Sequence, residues 1–133
     1  MAYKTSATSK GGRNGRAQLD DGGLALAMAL PKAVGGAGDG HNPEQLFAIG
    51  YAACYNQALL VLAKKHGIDG QAAKVTCDVT LNTDAGFSLE AELKVSVPGA
   101  DKDKVQALAE EAHTVCPYSK ATKGNIPVKL TVI

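Results

Sequence analysis

Three cysteines carry the widest chemical reach in this chain of 133 residues. Cys54 lies in the run Gly50-Tyr51-Ala52-Ala53-Cys54-Tyr55, with Phe47 one further turn back, so three aromatic rings gather around one thiol. A free cysteine in such company packs like a small hydrophobe. It becomes a nucleophile only as a thiolate, which near neutral pH requires a nearby cation to lower a pKa of about 8.5. Cys116 precedes Pro117 and Tyr118 at an expected helix end, where a backbone rearrangement can swing a side chain toward a partner, as a second, resolving thiol requires. Cys77 alternates with Val75, Val79 and Leu81 on the apolar face of an expected strand and reads as core.

Other candidates fail on spacing. Gly35-Gly36-Ala37-Gly38-Asp39-Gly40 precedes a helix as a phosphate cradle does, but His41 and Asn42 stand where a P-loop needs Lys and Ser or Thr, and His41 replaces the third glycine of a dinucleotide fingerprint. His41, His66 and His113 have no metal-ligand spacing, so no metal or bound cofactor is expected. His113 stands three residues before Cys116, on the same helical face, where it can tune that thiol.

The elements that must position these residues are legible as patterns. Tyr3, Thr5 and Ala7 alternate weakly, Lys10 to Arg16 is a glycine-rich turn, and Gly23 to Leu30 reads as a strand ending at Pro31, the two strands forming a hairpin. Asn42 as N-cap, Pro43 at the first helical position and Gln45 as capping-box partner open a helix that runs to about Lys65 and stops at Gly67. Strands follow over Val75 to Leu81 and Ser88 to Val97, then a helix capped by Asp101 and ended by the Cys116-Pro117 step, then a last strand at Val128 to Val132. This order is α+β with mainly antiparallel pairing in one domain, residues 1–133.

Composition narrows the function. With 45% hydrophobic and 20% charged residues and a net charge of +1, the chain is an ordinary soluble domain without the basic footprint of a nucleic-acid binder. Three cysteines without C-x-x-C spacing and an N-terminus without an apolar h-region point to the cytoplasm. Leu46 to Ala63 approaches a membrane span in hydrophobicity, but the alternating strands after it favour a central helix and no membrane partner. A helix apolar on nearly all sides must be covered all round, which suggests a dimer.

Three segments together resemble the OsmC/Ohr family in its organic hydroperoxide resistance branch: Gly11-Gly12-Arg13; Asn42-Pro43-Glu44-Gln45-Leu46-Phe47 continuing to Gly50-Tyr51-Ala52-Ala53-Cys54; and Val115-Cys116-Pro117-Tyr118-Ser119-Lys120-Ala121-Thr122-Lys123-Gly124-Asn125-Ile126. The resemblance covers essentially the whole chain. It implies an intertwined homodimer, its sheets wrapped around long central helices, and a thiol peroxidase that reduces alkyl and fatty-acid hydroperoxides to alcohols. Cys54 is then the peroxidatic thiol, Cys116 the resolving thiol and Arg13 with Glu44 the activating pair, while dihydrolipoamide or a lipoylated protein serves as external reductant. Phe47, Tyr51, Tyr55 and Tyr118, with Leu46 and Ile49, are expected to line an apolar substrate pocket. Tyr55, Lys120 and Lys123 depart from the family's usual Phe, Asn and Arg. Ten helical residues, about 15 Å, separate Glu44 from Cys54, so Arg13 must bridge the gap or the activating pair must come from the partner chain. Two alternatives stay open: an OsmC-type peroxidase of broader specificity, and a non-catalytic acyl binder or redox sensor using the same pocket.

Overall fold

A glycine cluster and a proline shape the first part of the chain. The computed structural model describes residues 1–133 and divides into two compact units, Met1–Gln45 and Leu46–Ile133. In the first, β1 (Ala7–Lys10) and β2 (Arg16–Leu19) form an antiparallel hairpin that pairs Lys10 with Arg16, and β3 (Ala25–Ala27) adds to β2. The hairpin loop is a short 3₁₀ turn, Gly12–Asn14, which glycine makes possible: Gly11 and Gly12 take φ of 80° and 58°.

This unit departs from the sequence expectation. The first strand begins at Ala7 rather than Tyr3, its hairpin partner is β2, a strand not expected, rather than Gly23 to Leu30, and β3 is shorter than that stretch and pairs with β2. Gly22 turns with φ 81°, which delays entry into β3. At the other end Met28 leaves the ladder to bridge His41, and Ala29 N–H donates to the His41 carbonyl at 2.9 Å.

The helix α1 (Pro43–Leu62) begins with a reciprocal capping box. Gln45 N–H donates to Asn42 Oδ1 at 2.9 Å, and Asn42 N–H donates to Gln45 Oε1 at 3.0 Å. A 3₁₀ turn, Ala63–His66, follows, and Gly67 ends the run in the left-handed conformation at φ 69°. The second unit packs α1 residues Tyr51, Tyr55, Ala58 and Leu59 into one core with β4 (Lys74–Asn82), β5 (Ser88–Ser96), α2 (Lys102–Val115) and β6 (Val128–Val132). The sheet's apolar face follows its register: Cys77 opposes Leu93, which opposes Leu130, while Val75, Val95 and Val132 form the next row. Cys77 is therefore core, and burial pushes its thiol up to about 11.

β6 runs parallel to β5, because α2 and a further helix, α3 (Pro117–Thr122), supply the crossover that a parallel pair needs. α3 is absent from the sequence reading. The Cys116-Pro117 step ends α2 as expected, but Pro117 fits the first turn of a new helix equally well. α1, with the turn after it, is long and apolar enough to cross a membrane by length and composition alone. Its buried tyrosines are instead hydrogen-bonded inside a protein core. The opposite face is uncovered within this chain, with Ile49 at 67% and Val61 at 68% exposure.

Candidate active site

α1 and the α2–α3 joint bring two of the three thiols together. Cys54 Sγ and Cys116 Sγ stand 3.6 Å apart, both unbridged. A disulfide of about 2.05 Å requires them to close by only about 1.5 Å. Cys116 is fully buried, and its extended backbone, φ −61° and ψ 124°, forms the corner between α2 and α3. Burial chiefly raises the pKa of Cys54, a hydrogen bond from the Tyr118 backbone N–H lowers it, and the neighbouring Cys116 thiol raises it again. The net shift is upward, and none of these influences is a positive charge. Cys54 so placed is a thiol, and thiolate chemistry at neutral pH requires a cation.

Behind the thiols lies a buried polar chain. The Tyr51 hydroxyl is 2.8 Å from Ser119 Oγ and 3.3 Å from Thr122 Oγ1, and Ser119 Oγ is in turn 2.7 Å from His113 Nδ1. The Tyr55 hydroxyl donates to the Ala109 carbonyl at 2.6 Å. Burial pushes both tyrosine pKa values up, and burial followed by the charge of Lys123 pushes His113 down. His113, read from spacing as a neighbour able to tune Cys116, hydrogen-bonds Ser119 instead.

An apolar cavity of about 280 Å³ opens beside α3, lined by Phe47, Leu89, Tyr118, Ala121, Thr122, Asn125 and Ile126. Phe47 and Tyr118, both expected at a pocket, face it. Tyr51 and Tyr55 do not line it: they are fully buried, their hydroxyls committed to the chain behind. Ile49 also belongs elsewhere, on the exposed side of α1. The Tyr118 ring crosses α1 over Gly50, where a methyl group would lie 2.8 Å from the phenolic oxygen. Phe47, Tyr51 and Tyr118 form a mutually tilted aromatic trio with ring centroids 5.8–6.3 Å apart.

Sequence reasoning missed Ser119, Thr122, Gly50 and the cavity residues beyond Phe47 and Tyr118. One signal was present: Cys116, Ser119 and Thr122 recur every third residue, and all three are buried.

The Met1–Gln45 unit contains the other expected pair. Arg13 Nη1 donates to Glu44 Oε2 at 2.8 Å and Nη2 to Glu44 Oε1 at 2.6 Å, a bidentate fork. These bonds hold the Glu44 carboxyl below its ordinary range and raise Arg13 further, so both groups remain charged. Arg13 sits in the 3₁₀ turn made by the glycine cluster, and the next residue secures that turn: Asn14 Oδ1 accepts from Leu30 N–H at 3.1 Å.

Comparison with known proteins gives one consistent picture. The family model described as OsmC-like protein matches residues 36–131. The organic hydroperoxide resistance protein of Xanthomonas axonopodis pv. citri is 44% identical over 140 residues, spanning 99% of this chain and 95% of that relative. Two solved structures superpose closely. An organic hydroperoxide resistance protein from Legionella pneumophila has a TM-score of 0.91 at 42% identity, covering 99% of this chain and 98% of the other. One from Elizabethkingia anophelis, with thiocyanate bound, has a TM-score of 0.89 at 46% identity, covering 99% and 96%.

Proposed function

The chain belongs to the OsmC-like family, and from that premise we propose that it is a cysteine-based peroxidase that reduces organic hydroperoxides to alcohols, with Cys54 as peroxidatic and Cys116 as resolving thiol. A soluble, peroxide-detoxifying protein is the role the named relatives support; the assignment of steps to residues is our reading. The observation that carries it is the 3.6 Å approach of two unbridged sulfurs, with Tyr118, two residues after Cys116, forming one wall of an apolar cavity.

The steps follow from thiol chemistry. The Cys54 thiolate attacks the distal peroxide oxygen, the O–O bond breaks, the alkoxide leaves as alcohol on taking a proton, and Cys54 becomes a sulfenic acid. Cys116 displaces hydroxide from that sulfur to form a disulfide, and dihydrolipoamide or a lipoylated protein reopens it by thiol exchange. Because nothing acting on Cys54 from Leu46–Ile133 is cationic, the reading assigns thiolate stabilisation to the Arg13 guanidinium, oriented by Glu44. The alkyl tail fits the cavity walled by Phe47, Tyr118 and Ile126, where its burial is worth about 0.8 kcal/mol per CH₂ and favours organic peroxides over hydrogen peroxide. The working form is a cytoplasmic homodimer in which the exposed α1 face is covered by a second copy.

The test mixes reduced protein with one equivalent of an alkyl hydroperoxide, or of hydrogen peroxide in parallel, and maps the cysteines by mass spectrometry before adding dihydrolipoamide. A Cys54–Cys116 disulfide that forms faster with the alkyl peroxide and is then reduced is the expected result. Unreacted cysteines in folded protein would overturn the reading.

A further inference from the structure

Ser119 is the one side chain that ties α3 to both neighbouring helices. Its hydroxyl meets Tyr51 of α1 at 2.8 Å and His113 of α2 at 2.7 Å, and it is 2% exposed. A hydroxyl has a single proton, so the direction of the chain is set by its ends. Thr122 donates its own proton to the Ser119 carbonyl at 3.1 Å, leaving its oxygen free only to accept. With neutral His113 protonated at Nε2, Tyr51 donates to Ser119 and Ser119 donates to Nδ1, so both short contacts are made. With imidazolium the direction reverses, Nδ1–H donating to Ser119, Ser119 to Tyr51 and Tyr51 to Thr122 at 3.3 Å, so the same short contacts can form only around a part-buried positive charge. That cation has no carboxylate within ion-pair distance, its ring centroid lies 6.5 Å from that of Tyr55, and it stands in the field of Lys123, so it is drawn toward solvent and away from Ser119, while Tyr51 and Tyr55 in turn face Cys116.

Position makes this matter. Cys116 is the hinge residue between α2 and α3, with its N–H on the Ala112 carbonyl at 2.9 Å and its carbonyl accepting from Lys120 N–H at 3.0 Å. Ser119 lies one turn beyond that hinge, so what holds Ser119 fixes the angle at which Cys116 faces Cys54. We propose that His113 is a positioning residue: through Ser119 and Tyr51, its neutral imidazole locks α3 so that Cys116 is poised on Cys54, and protonation of His113 loosens the lock and slows resolution.

The inference rests on the peroxidase reading and concerns its second step alone. There the S–O bond of the Cys54 sulfenic acid breaks and the S–S bond forms. The Cys54 sulfur is reduced and the Cys116 sulfur oxidised, and the Cys116 proton leaves with the hydroxide as water. Substitution of His113 does not enter this balance; it alters how often the sulfurs meet. Asparagine suits the test because its Oδ1 takes the place of Nδ1, accepts from Ser119 and does not titrate.

The experiment treats wild type, His113→Asn, His113→Ala and Ser119→Ala, each shown to be folded by circular dichroism, with one equivalent of tert-butyl hydroperoxide. Sulfenic acid at Cys54 and the disulfide are quantified by quenched-flow mass spectrometry at pH 5, 6 and 7. Dividing the wild-type resolution rate by that of His113→Asn removes the titration of Cys116 common to both. That ratio is expected to fall as pH drops from 7 to 5, while at pH 7 His113→Ala and Ser119→Ala resolve about tenfold more slowly, as loss of a buried hydrogen bond predicts, and divert more Cys54 to sulfinic acid. Normal sulfenic acid formation with a pH-independent ratio, or with unchanged resolution in both alanine variants, overturns the inference and leaves the peroxidase reading standing. Failure of every chain, wild type included, to form sulfenic acid overturns both.

Discussion

A guanidinium and an ammonium carry the same charge but not the same geometry, and the Arg13–Glu44 pair depends on the difference. Two short, parallel bonds fix the plane of Arg13, and lysine can replace the charge without the fork. Arg13→Lys is therefore expected to retain the fold and lose about 10- to 100-fold in the rate of Cys54 oxidation, the scale of one charge-assisted hydrogen bond, measured by quenched-flow mass spectrometry. The same pair predicts an acid response of known sign. Arg13 holds Glu44 below its ordinary value of 4.5, so the pair's contribution to stability is complete above that value and is lost as pH falls through the lowered one. Carboxyl NMR should place the Glu44 midpoint below 4.5 in wild type and return it upward in Arg13→Ala; an unchanged midpoint would mean that the fork does not persist in solution. At this scale the sequence was legible as pairings: the resemblance grouped Cys54 with Cys116 and Arg13 with Glu44, and the members of each pair stand close together in the fold. It was not legible where a role depends on which way a ring turns. Tyr51 and Tyr118 are both aromatics near the thiols, yet one is tethered behind the site and the other walls the cavity, a difference set by the buried Ser119 hydroxyl and by the bare Cα of Gly50.

Elements marked by a chemical stop or by sustained alternation, as in β4, β5 and β6, were read correctly, and short ones held only by tertiary pairing were not. The Asn42 cap, the Gly67 stop and the Asp101 cap are local hydrogen-bonding or backbone requirements, and each lies where the sequence reading put it. β2 is four residues long with weak alternation, so its existence depends on the partners on either side. α3 is a single short helix whose burial comes from its neighbours, and no periodicity that brief declares itself. Two predictions belong here. Asn42→Ala leaves Gln45 N–H without its acceptor and is expected to cost about 1 kcal/mol, lowering the melting temperature by about 4 °C in calorimetry. Gly50→Ala places a methyl group against the Tyr118 ring and pushes that ring toward the cavity. The expected effect is a KM that rises several-fold for long-chain hydroperoxides and much less for tert-butyl hydroperoxide, with Cys54 reactivity toward hydrogen peroxide nearly unchanged. An equal rise for all three peroxides would mean that the methyl group disturbs the thiols rather than the wall.

The whole molecule turns on the uncovered side of α1. Ile49, Ala53, Gln57 and Val61 recur every fourth residue and are exposed, while Tyr51, Tyr55, Ala58 and Leu59 fill the core on the other side. A helix this apolar, with one face in water, is the arrangement that a second copy relieves, and a two-fold pairing would bury the same side chains in both copies. Full burial of an isoleucine or valine is worth about 1.5–3 kcal/mol, so removing Ile49 and Val61 from both copies costs a dimer several kcal/mol, and carboxylates in their place cost more through desolvation. Ile49→Asp combined with Val61→Asp is expected to shift the protein from dimer to monomer in sedimentation equilibrium at micromolar concentration, with the helical content of each chain retained. The monomer then answers a chemical question. If Arg13 and Glu44 act on the Cys54 of their own chain, it keeps near-normal Cys54 oxidation. If they act across the dimer, oxidation falls by at least the Arg13→Lys factor and reappears when Cys54→Ser and Arg13→Ala chains are mixed, because one hybrid site then contains both an intact thiol and an intact guanidinium. A double variant that stays dimeric would show that the α1 face is not the contact, and that the second copy, if present, binds elsewhere.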